Sequence, residues 1–144
     1  MKKLVMLAAI SSIVFSACAQ KLDASKVPAV VRSSFQKAYP GVSAKWEKED
    51  GNYEVNFKQN GNDASVIITP GGVITETETD IKATDLPAAA QAYLKENYKG
   101  KNIKESSKLT KAGGAVNYEA QVGNVDVIFD ANGKFIKKEK VGKD

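Results

Sequence analysis

Two similar stretches decide the fold: VPAVVRSSFQKAYPG at residues 27–41 and LPAAAQAYLKENYKG at residues 86–100. Pro28 aligns with Pro87 and Gly41 with Gly100, at a constant offset of 59 residues. Three further matches follow in the same order, and their offset drifts to 65 and back to 61, so we expect the length changes to lie in loops. The sequence therefore predicts one structural unit written twice. The three later matches are 53–55 with 118–120, 66–68 with 127–129, and 72–74 with 133–135.

Each of the two stretches predicts an amphipathic helix. Apolar residues recur at spacings of three and four, which places them on one face of a helix. Ser25 and Thr84 are the expected N-caps, with Pro28 and Pro87 in the first turn, where a missing N–H costs nothing. Gly41 and Gly100 are the expected C-terminal stops. The core-facing residues are Val27, Val31, Phe35, Ala38 and Tyr39 in the first helix, and Leu86, Ala90, Tyr93, Leu94 and Tyr98 in the second.

Strands are expected to follow each helix. In the stretch YEVNFK, residues 53–58, apolar and polar side chains alternate, which is the pattern of a strand with one dry face and one wet face. Paired Gly and Asn residues separate such stretches and predict hairpin turns, so neighbouring strands should be antiparallel. The expected strands are 43–49, 52–59, 63–69, 72–79, 102–110, 115–122, 124–130 and 133–140.

The predicted fold class is α+β, with two tandem repeats of a helix plus a four-stranded antiparallel sheet and both helices on one face. The first repeat is expected at 20–83 and the second at 84–144, within one compact domain of 125 residues. One helix per repeat covers one sheet face, so the other face is left to solvent or to a partner.

Residues 1–19 have the features of a signal peptide. Lys2 and Lys3 precede an apolar stretch of about 12 residues, 4–15, which is shorter than the roughly 20 that a membrane span needs. Two cleavage schemes are open. Ala17-Cys18-Ala19 fits a small-x-small site and would release a periplasmic chain that begins at Gln20. Residues 15–18, FSAC, instead resemble a bacterial lipobox, which would anchor the protein to the membrane through a lipid on Cys18.

The residue inventory excludes most catalytic chemistry. The chain has no histidine and one cysteine, Cys18, so a Ser-His-Asp triad or a His/Cys zinc site cannot be built. No phosphate-binding glycine loop is present. The net charge of +4 comes from interspersed residues without a basic block, which argues against nucleic-acid binding. We therefore expect a protein that is not an enzyme.

Two groups of residues are candidate cation ligands. Asp130 and Asn132 begin a segment that resembles an oxygen-ligand loop, although Lys134 and Val141 break the EF-hand pattern, and a hairpin turn is the alternative. Glu76, Glu78 and Asp80 alternate with threonines and so share one strand face, which could be solvated or could attract a cation.

The remaining candidates concern a protein partner. The other aromatic residues lie on the periodic apolar faces and are assigned to the core. Trp46 has Ala44 as its only clear apolar neighbour on its strand face, so it is the best single candidate for a surface contact. The other candidates are the wet-face residues Glu54, Asn56, Lys58, Asn117, Glu119 and Gln121.

The chain resembles the PepSY-like, β-lactamase-inhibitor-protein-like domains over nearly all of residues 22–141, and its signal peptide resembles those of small periplasmic proteins of Bacteroidetes-type bacteria. The resemblance rests on segments 86–94, 118–119 and 130–135, with 27–35, 53–54 and 69–74 as a degenerate first copy. It implies two helix-plus-sheet units that share a concave surface. That surface clasps an enzyme in the name-giving inhibitor, and peptidase inhibition has been proposed for PepSY domains. The resemblance carries over no active-site residue.

Two functional hypotheses follow. The first is a periplasmic module that binds an unknown protein or peptide of the envelope through its open sheet faces, as an inhibitor of a peptidase or another enzyme would, without a cofactor. The second is an envelope sensor that responds to calcium or another ligand through one of the two sets of candidate cation ligands described above. The membrane is a partner only if Cys18 is lipidated.

Overall fold

The computed structural model describes residues 20–141. The predicted signal peptide, its cleavage site and the lipidation candidate Cys18 lie outside these residues. Within them, two helices, α1 (Ala29–Ala38) and α2 (Ala88–Asn97), accompany nine strands. The strands are β1 (Gln20–Leu22), β2 (Ala44–Glu49), β3 (Asn52–Gln59), β4 (Asn62–Ile68), β5 (Ile74–Asp80), β6 (Ile103–Lys111), β7 (Val116–Val122), β8 (Val125–Asp130) and β9 (Phe135–Lys140).

All nine strands form one antiparallel sheet in which each strand pairs with its neighbour in sequence. The expectation of two separate four-stranded sheets is therefore corrected. Strands β5 and β6 pair from Glu76↔Lys111 to Asp80↔Ser107, and this pairing joins the two halves into a continuous sheet. The eight predicted strands are all found, each with bounds within two residues of those expected. Strand β1 was not predicted, because three residues are too few to show a period.

Both helices pack on the same face of the sheet. Val31 and Phe35 of α1 are buried in one apolar cluster with Val55 and Val66. Ala90 and Leu94 of α2 belong to a second cluster, with Val127 and Phe129 among its members. The predicted periodic faces therefore form the core, with the exception of Ala38, which is exposed.

The ends of the helices differ from the expectation in one respect. Ser25 and Thr84 are not N-caps, since each lies within a short 3-10 turn, at Ala24–Lys26 and Ala83–Asp85. The N-cap positions are occupied by Pro28 and Pro87 instead, which have no side-chain donor or acceptor to offer. Gly41 adopts the left-handed conformation after α1, as a C-terminal stop requires.

Candidate partner-binding face

The register of the strands assigns every strand residue to one of two sheet faces. Directly paired residues point to the same side of an antiparallel sheet, and alternate residues point to opposite sides. Val55 pairs with Val66 and Val66 with Thr77, and this row continues through Thr110 to Val116 on the helix side. We call the opposite side of the sheet the open face, because among the described residues both helices pack on the other side.

The open face brings together most of the candidates that the sequence indicates. The wet-face group and the acidic group of β5 lie on one continuous surface, because the two halves share one sheet. This surface is only partly solvated, since Glu54 is only 5% exposed and Glu76 and Glu78 are also buried. The candidates on this face are Glu54, Asn56, Lys58, Glu76, Glu78, Asp80, Asn117, Glu119, Gln121 and Asp130.

Trp46 does not lie on the open face. It pairs with Val55 on the helix side and is 8% exposed. Its ring contacts Phe35 of α1 edge-to-face, with 5.6 Å between centroids. The expectation of an exposed tryptophan is corrected, because the helix supplies the apolar neighbours that its own strand lacks.

The open face concentrates the negative charge of the chain. Of the residues that the structure describes, 12 of the 16 acidic ones lie on it, compared with five of the 18 lysine and arginine residues, although the whole chain carries a net charge of +4. The acidic residues are Glu47, Glu49, Glu54, Asp63, Glu76, Glu78, Asp80, Glu105, Glu119, Asp126, Asp130 and Glu139. The lysines are Lys21, Lys45, Lys58, Lys111 and Lys137.

Three of these five lysines already pair with carboxylates of the same face. Lys58 lies 2.7 Å from Asp63, and Lys137 lies 2.7 Å from Glu139. Lys111 pairs with Glu76, whose carboxylate is buried. Glu54, Glu78 and Glu119 form no salt bridge with any residue in the part of the chain that the structure describes.

The first group of carboxyls with raised pKa values lies on β2 and β3. The pKa of the Glu54 carboxyl is raised to about 7, mainly by burial and further by the negative charges of Glu49 and Glu47. Burial likewise raises the pKa of Glu49, with the neighbouring charge of Asp50 acting in the same direction. The Glu54 site therefore holds a proton for part of the time at neutral pH.

The second group extends over β5 to β9. Burial raises the pKa of Glu78 to about 8, against the opposing effect of a hydrogen bond that Ser107 donates. Burial also raises the pKa of Glu119 to about 8, and the charges of Asp126 and Glu139 add to this effect. Burial is also the main cause of the raised pKa values of Asp80 and Asp126. This face has more carboxylates than cations to neutralise them.

Asp130 has a structural role in its hairpin. Its Oδ1 accepts hydrogen bonds from the backbone N–H of Asn132 and of Lys134, both at 2.9 Å. This is the hairpin turn that the sequence offered as the alternative to a cation-binding loop. Within residues 20–141, no group of three or more Asp, Glu, His or Cys side chains converges in a way that could hold a metal ion. Calcium binding stays a prediction.

Several residues of this face were not predicted as candidates. Glu47, Glu105, Ser107, Asp126 and Glu139 join it through the register of neighbouring strands. The alternation along β8 and β9 could have placed the last two on a wet face. Their proximity to Glu119 depends on the order of the strands, which short antiparallel hairpins imply.

A family model described as "Putative beta-lactamase-inhibitor-like, PepSY-like" matches the chain twice, at residues 16–76 and 72–137. The chain belongs to this PepSY-like family. The description names an inhibitor-like domain and no enzymatic activity. No protein with a curated description matches this PepSY-like chain. No helix in the described part of the chain is long and apolar enough to cross a membrane.

Solved structures of Bacteroides proteins share the fold. A "putative periplasmic" protein from Bacteroides eggerthii is 20% identical with a TM-score of 0.74, and the match covers 79% of this chain and 88% of that one. A DUF2874 family protein from Bacteroides ovatus is 22% identical with a TM-score of 0.72, over 79% and 87% of the two chains. A BLIP-like protein from Bacteroides fragilis is 20% identical with a TM-score of 0.68, over 81% and 89%. At these identities the likeness concerns the fold.

Proposed function

We propose that the protein is an exported, periplasmic protein-binding module that acts through the open face of its sheet. The observation that carries this proposal is the position of both helices on one side of a continuous nine-stranded sheet. In an antiparallel sheet the second face can be solvated, but here many of its polar groups are buried or half-buried, among them Glu54, Glu76 and Glu78. The half-buried and exposed side chains of this face are available to a partner.

The size of the open face fits a protein partner. Nine strands at about 4.8 Å spacing span roughly 38 Å, and strands of six to nine residues are about 20–30 Å long. The resulting area is on the order of 800 Å², which is what one partner contributes to a standard protein–protein interface. A small molecule would occupy only a fraction of it.

We also propose that the protein is periplasmic and that it binds its partner without catalysing a reaction. The predicted signal peptide supports export, and the solved relative from B. eggerthii is described as a periplasmic protein of that bacterium. The chain contains no histidine, and its family description is that of an inhibitor-like domain. Inhibition of an enzyme is therefore the form of binding that we favour, and two tandem helix-plus-strand units are the arrangement that would build the surface.

A pair of neutral, bulky substitutions tests the proposal. Asn56→Trp and Asn117→Trp place large side chains on the open face without a change in charge, and Gln36→Trp on the exposed side of α1 is the matched control. Proteins from a periplasmic extract that bind the wild-type chain are identified by mass spectrometry, and the binding of each is repeated with the purified protein. We expect the open-face variants to lose the partner and Gln36→Trp to retain it.

Equal binding by all three variants would place the interface elsewhere on the molecule. Circular dichroism of each variant, with its thermal transition, establishes that the fold is intact. If the purified partner is an enzyme, its activity with and without the wild-type chain tests inhibition, and unchanged activity at saturation would reject the inhibitory form of the proposal.

A further inference from the structure

The open face has the charge distribution of a surface that binds a cationic macromolecule. Twelve acidic residues lie on one side of the sheet of a chain whose net charge is positive. Glu54, Glu78 and Glu119 hold a proton for part or most of the time at neutral pH, and the other nine acidic residues still outnumber the lysines of that side. Among residues 20–141 five lysines share that side, and at least three of them are held by carboxylates of the same face. From this asymmetry we infer that the partner contacts the open face through a lysine- or arginine-rich protein segment. This inference rests on the proposed function and names the partner class.

The acidic side chains are distributed along rows rather than gathered around one point. One row runs across the strands from Asp80 through Ser107 to Glu119, and the next runs from Glu105 through Gln121 and Asp126 to Glu139. Neighbouring strands are about 4.8 Å apart, so charges in a row are separated by that distance or its multiples. Within the described residues no three of these groups converge on a metal position. Repeated negative charge of this kind matches repeated positive charge on a protein segment.

Burial of the open-face carboxyls strengthens their electrostatic interaction with a cationic partner. The Glu78 and Glu119 carboxyls lie close enough for each to affect the other electrostatically, and no described residue forms a salt bridge with either. A guanidinium or ammonium group within about 4–6 Å of a carboxyl favours its charged form. The interaction is also stronger where side chains exclude water than on an open surface. Arginine is suited to such a site, because its planar group donates up to five hydrogen bonds.

The overall charge of the chain makes the inference testable with a simple probe. The exported chain from Gln20 has 19 basic and 17 acidic residues, so its net charge of +2 gives no overall attraction for a fluorescein-labelled peptide of six Arg-Ser repeats, and binding requires a localised acidic surface. A peptide of six Gln-Ser repeats is the neutral control. Fluorescence anisotropy at low ionic strength measures both affinities, and repetition at higher salt tests whether the interaction is electrostatic.

Two double variants remove the same number of charges from different sides of the molecule. Glu47→Gln with Asp126→Asn changes half-buried residues of the open face, and Asp85→Asn with Glu96→Gln changes exposed residues near α2. Both variants gain the same net charge. We expect the open-face variant to bind the Arg-Ser peptide about fivefold more weakly than wild type, and the α2-side variant to bind it as wild type does.

Three outcomes overturn the inference: no binding of the Arg-Ser peptide at low salt, equal binding of the Gln-Ser peptide, or equal weakening by the two double variants. These results leave the proposed function to its own test, which uses neutral tryptophan substitutions. If tryptophan substitutions abolish binding of the natural partner while the open-face charge variant leaves it unchanged, the protein-binding module stands and the basic partner is rejected. If neither set affects that binding, both are rejected.

Discussion

Lys111 on β6 forms an ion pair with Glu76 on β5, across the strand pair that joins the two halves of the sheet. The carboxylate is almost completely buried, while the lysine is partly exposed. Removal of the lysine would leave a buried negative charge without a counter-ion, which is costly even where the intact pair contributes little. We expect Lys111→Met to lower the free energy of unfolding by about 2–3 kcal/mol, measured by urea denaturation.

A second lysine of the same face provides the control. Lys58 and Asp63 also form an ion pair, but their side chains are 67% and 55% exposed. Lys58→Met should therefore change the free energy of unfolding by less than about 1 kcal/mol. If the two methionine substitutions lower the free energy of unfolding equally, the burial of Glu76 does not make its ion pair with Lys111 more important for stability than an exposed pair.

The aromatic contact between Trp46 and Phe35 predicts a stability effect for Trp46. The indole is buried against α1, so Trp46→Ala removes a large core side chain and should cost about 3 kcal/mol or more. Val73→Ala, at an apolar residue that is 57% exposed, should cost less than about 0.5 kcal/mol. Thermal and urea denaturation measure both. A stable Trp46→Ala variant would mean that the side chain lies outside the core.

Gly133 lies where the turn before β9 meets the start of α2. A Cβ at this position would lie 2.7 Å from the backbone nitrogen of Ala90 and 2.7 Å from Cβ of Pro87, at a φ of +82°. Gly114 has a φ of +84° with nothing within 4 Å, so it isolates the backbone effect. Gly114→Ala should cost about 1–2 kcal/mol from its positive φ alone. Gly133→Ala should cost about 2 kcal/mol more, because a helix must move.

The comparison is made by urea denaturation of the two alanine variants. Equal losses would mean that the contact between the turn and α2 relaxes without cost and that only the backbone conformation matters.

The raised pKa values of the open face predict a pH dependence of stability. The pKa of Glu119 is about 8 in the folded protein, where burial is the main cause, and is about 4.3 for an ordinary glutamate. Between these values the folded state holds a proton that the unfolded chain has released. The free energy of unfolding should therefore fall as the pH rises from about 4.5 to 8, and should level off above that. The titratable groups that act on Glu119 are Glu76, Glu78, Glu105, Asp126 and Glu139.

Glu119→Gln mimics the protonated carboxyl and so removes part of this dependence. We expect it to raise the free energy of unfolding by about 1–2 kcal/mol at pH 8 and to leave it unchanged near pH 4. Glu96→Gln, at an exposed residue of α2, is the control and should have little effect at either pH. A wild-type stability that rises between pH 5 and pH 8 would contradict the assignment of proton-holding carboxyls to this face.

Local patterns predicted the elements of this fold, while tertiary pairing determined its surface. The alternation in residues 53–58 and the helical spacing of Val31 and Phe35 depend on neighbours in sequence, so the strand and the helix face were both predicted. The burial of Trp46 was missed because its neighbour Phe35 comes from a helix. The joining of the halves was missed because the β5–β6 pairing spans the whole of α2.

The candidate site was predicted in part for the same reason. Glu54 and Glu119 were placed correctly on a polar face by their period-two pattern. Their burial, and the approach of Asp126 and Glu139 to Glu119, follow from the order of strands in one sheet and from side-chain packing. A single sequence shows which face a residue occupies, but the residues that surround it are determined by pairings across the fold.

The central claim is that a basic segment binds the open face, and methyl-resolved NMR tests it most directly. Ile67, Leu109 and Ile128 lie on the open face, whereas Val55, Val66 and Val127 lie on the helix side. Titration of the Arg-Ser peptide into methyl-labelled protein should shift the signals of the first three and leave those of the second three nearly unchanged. Shifts confined to the helix-side methyls, or to the exposed Val30 and Val73, would contradict the claim.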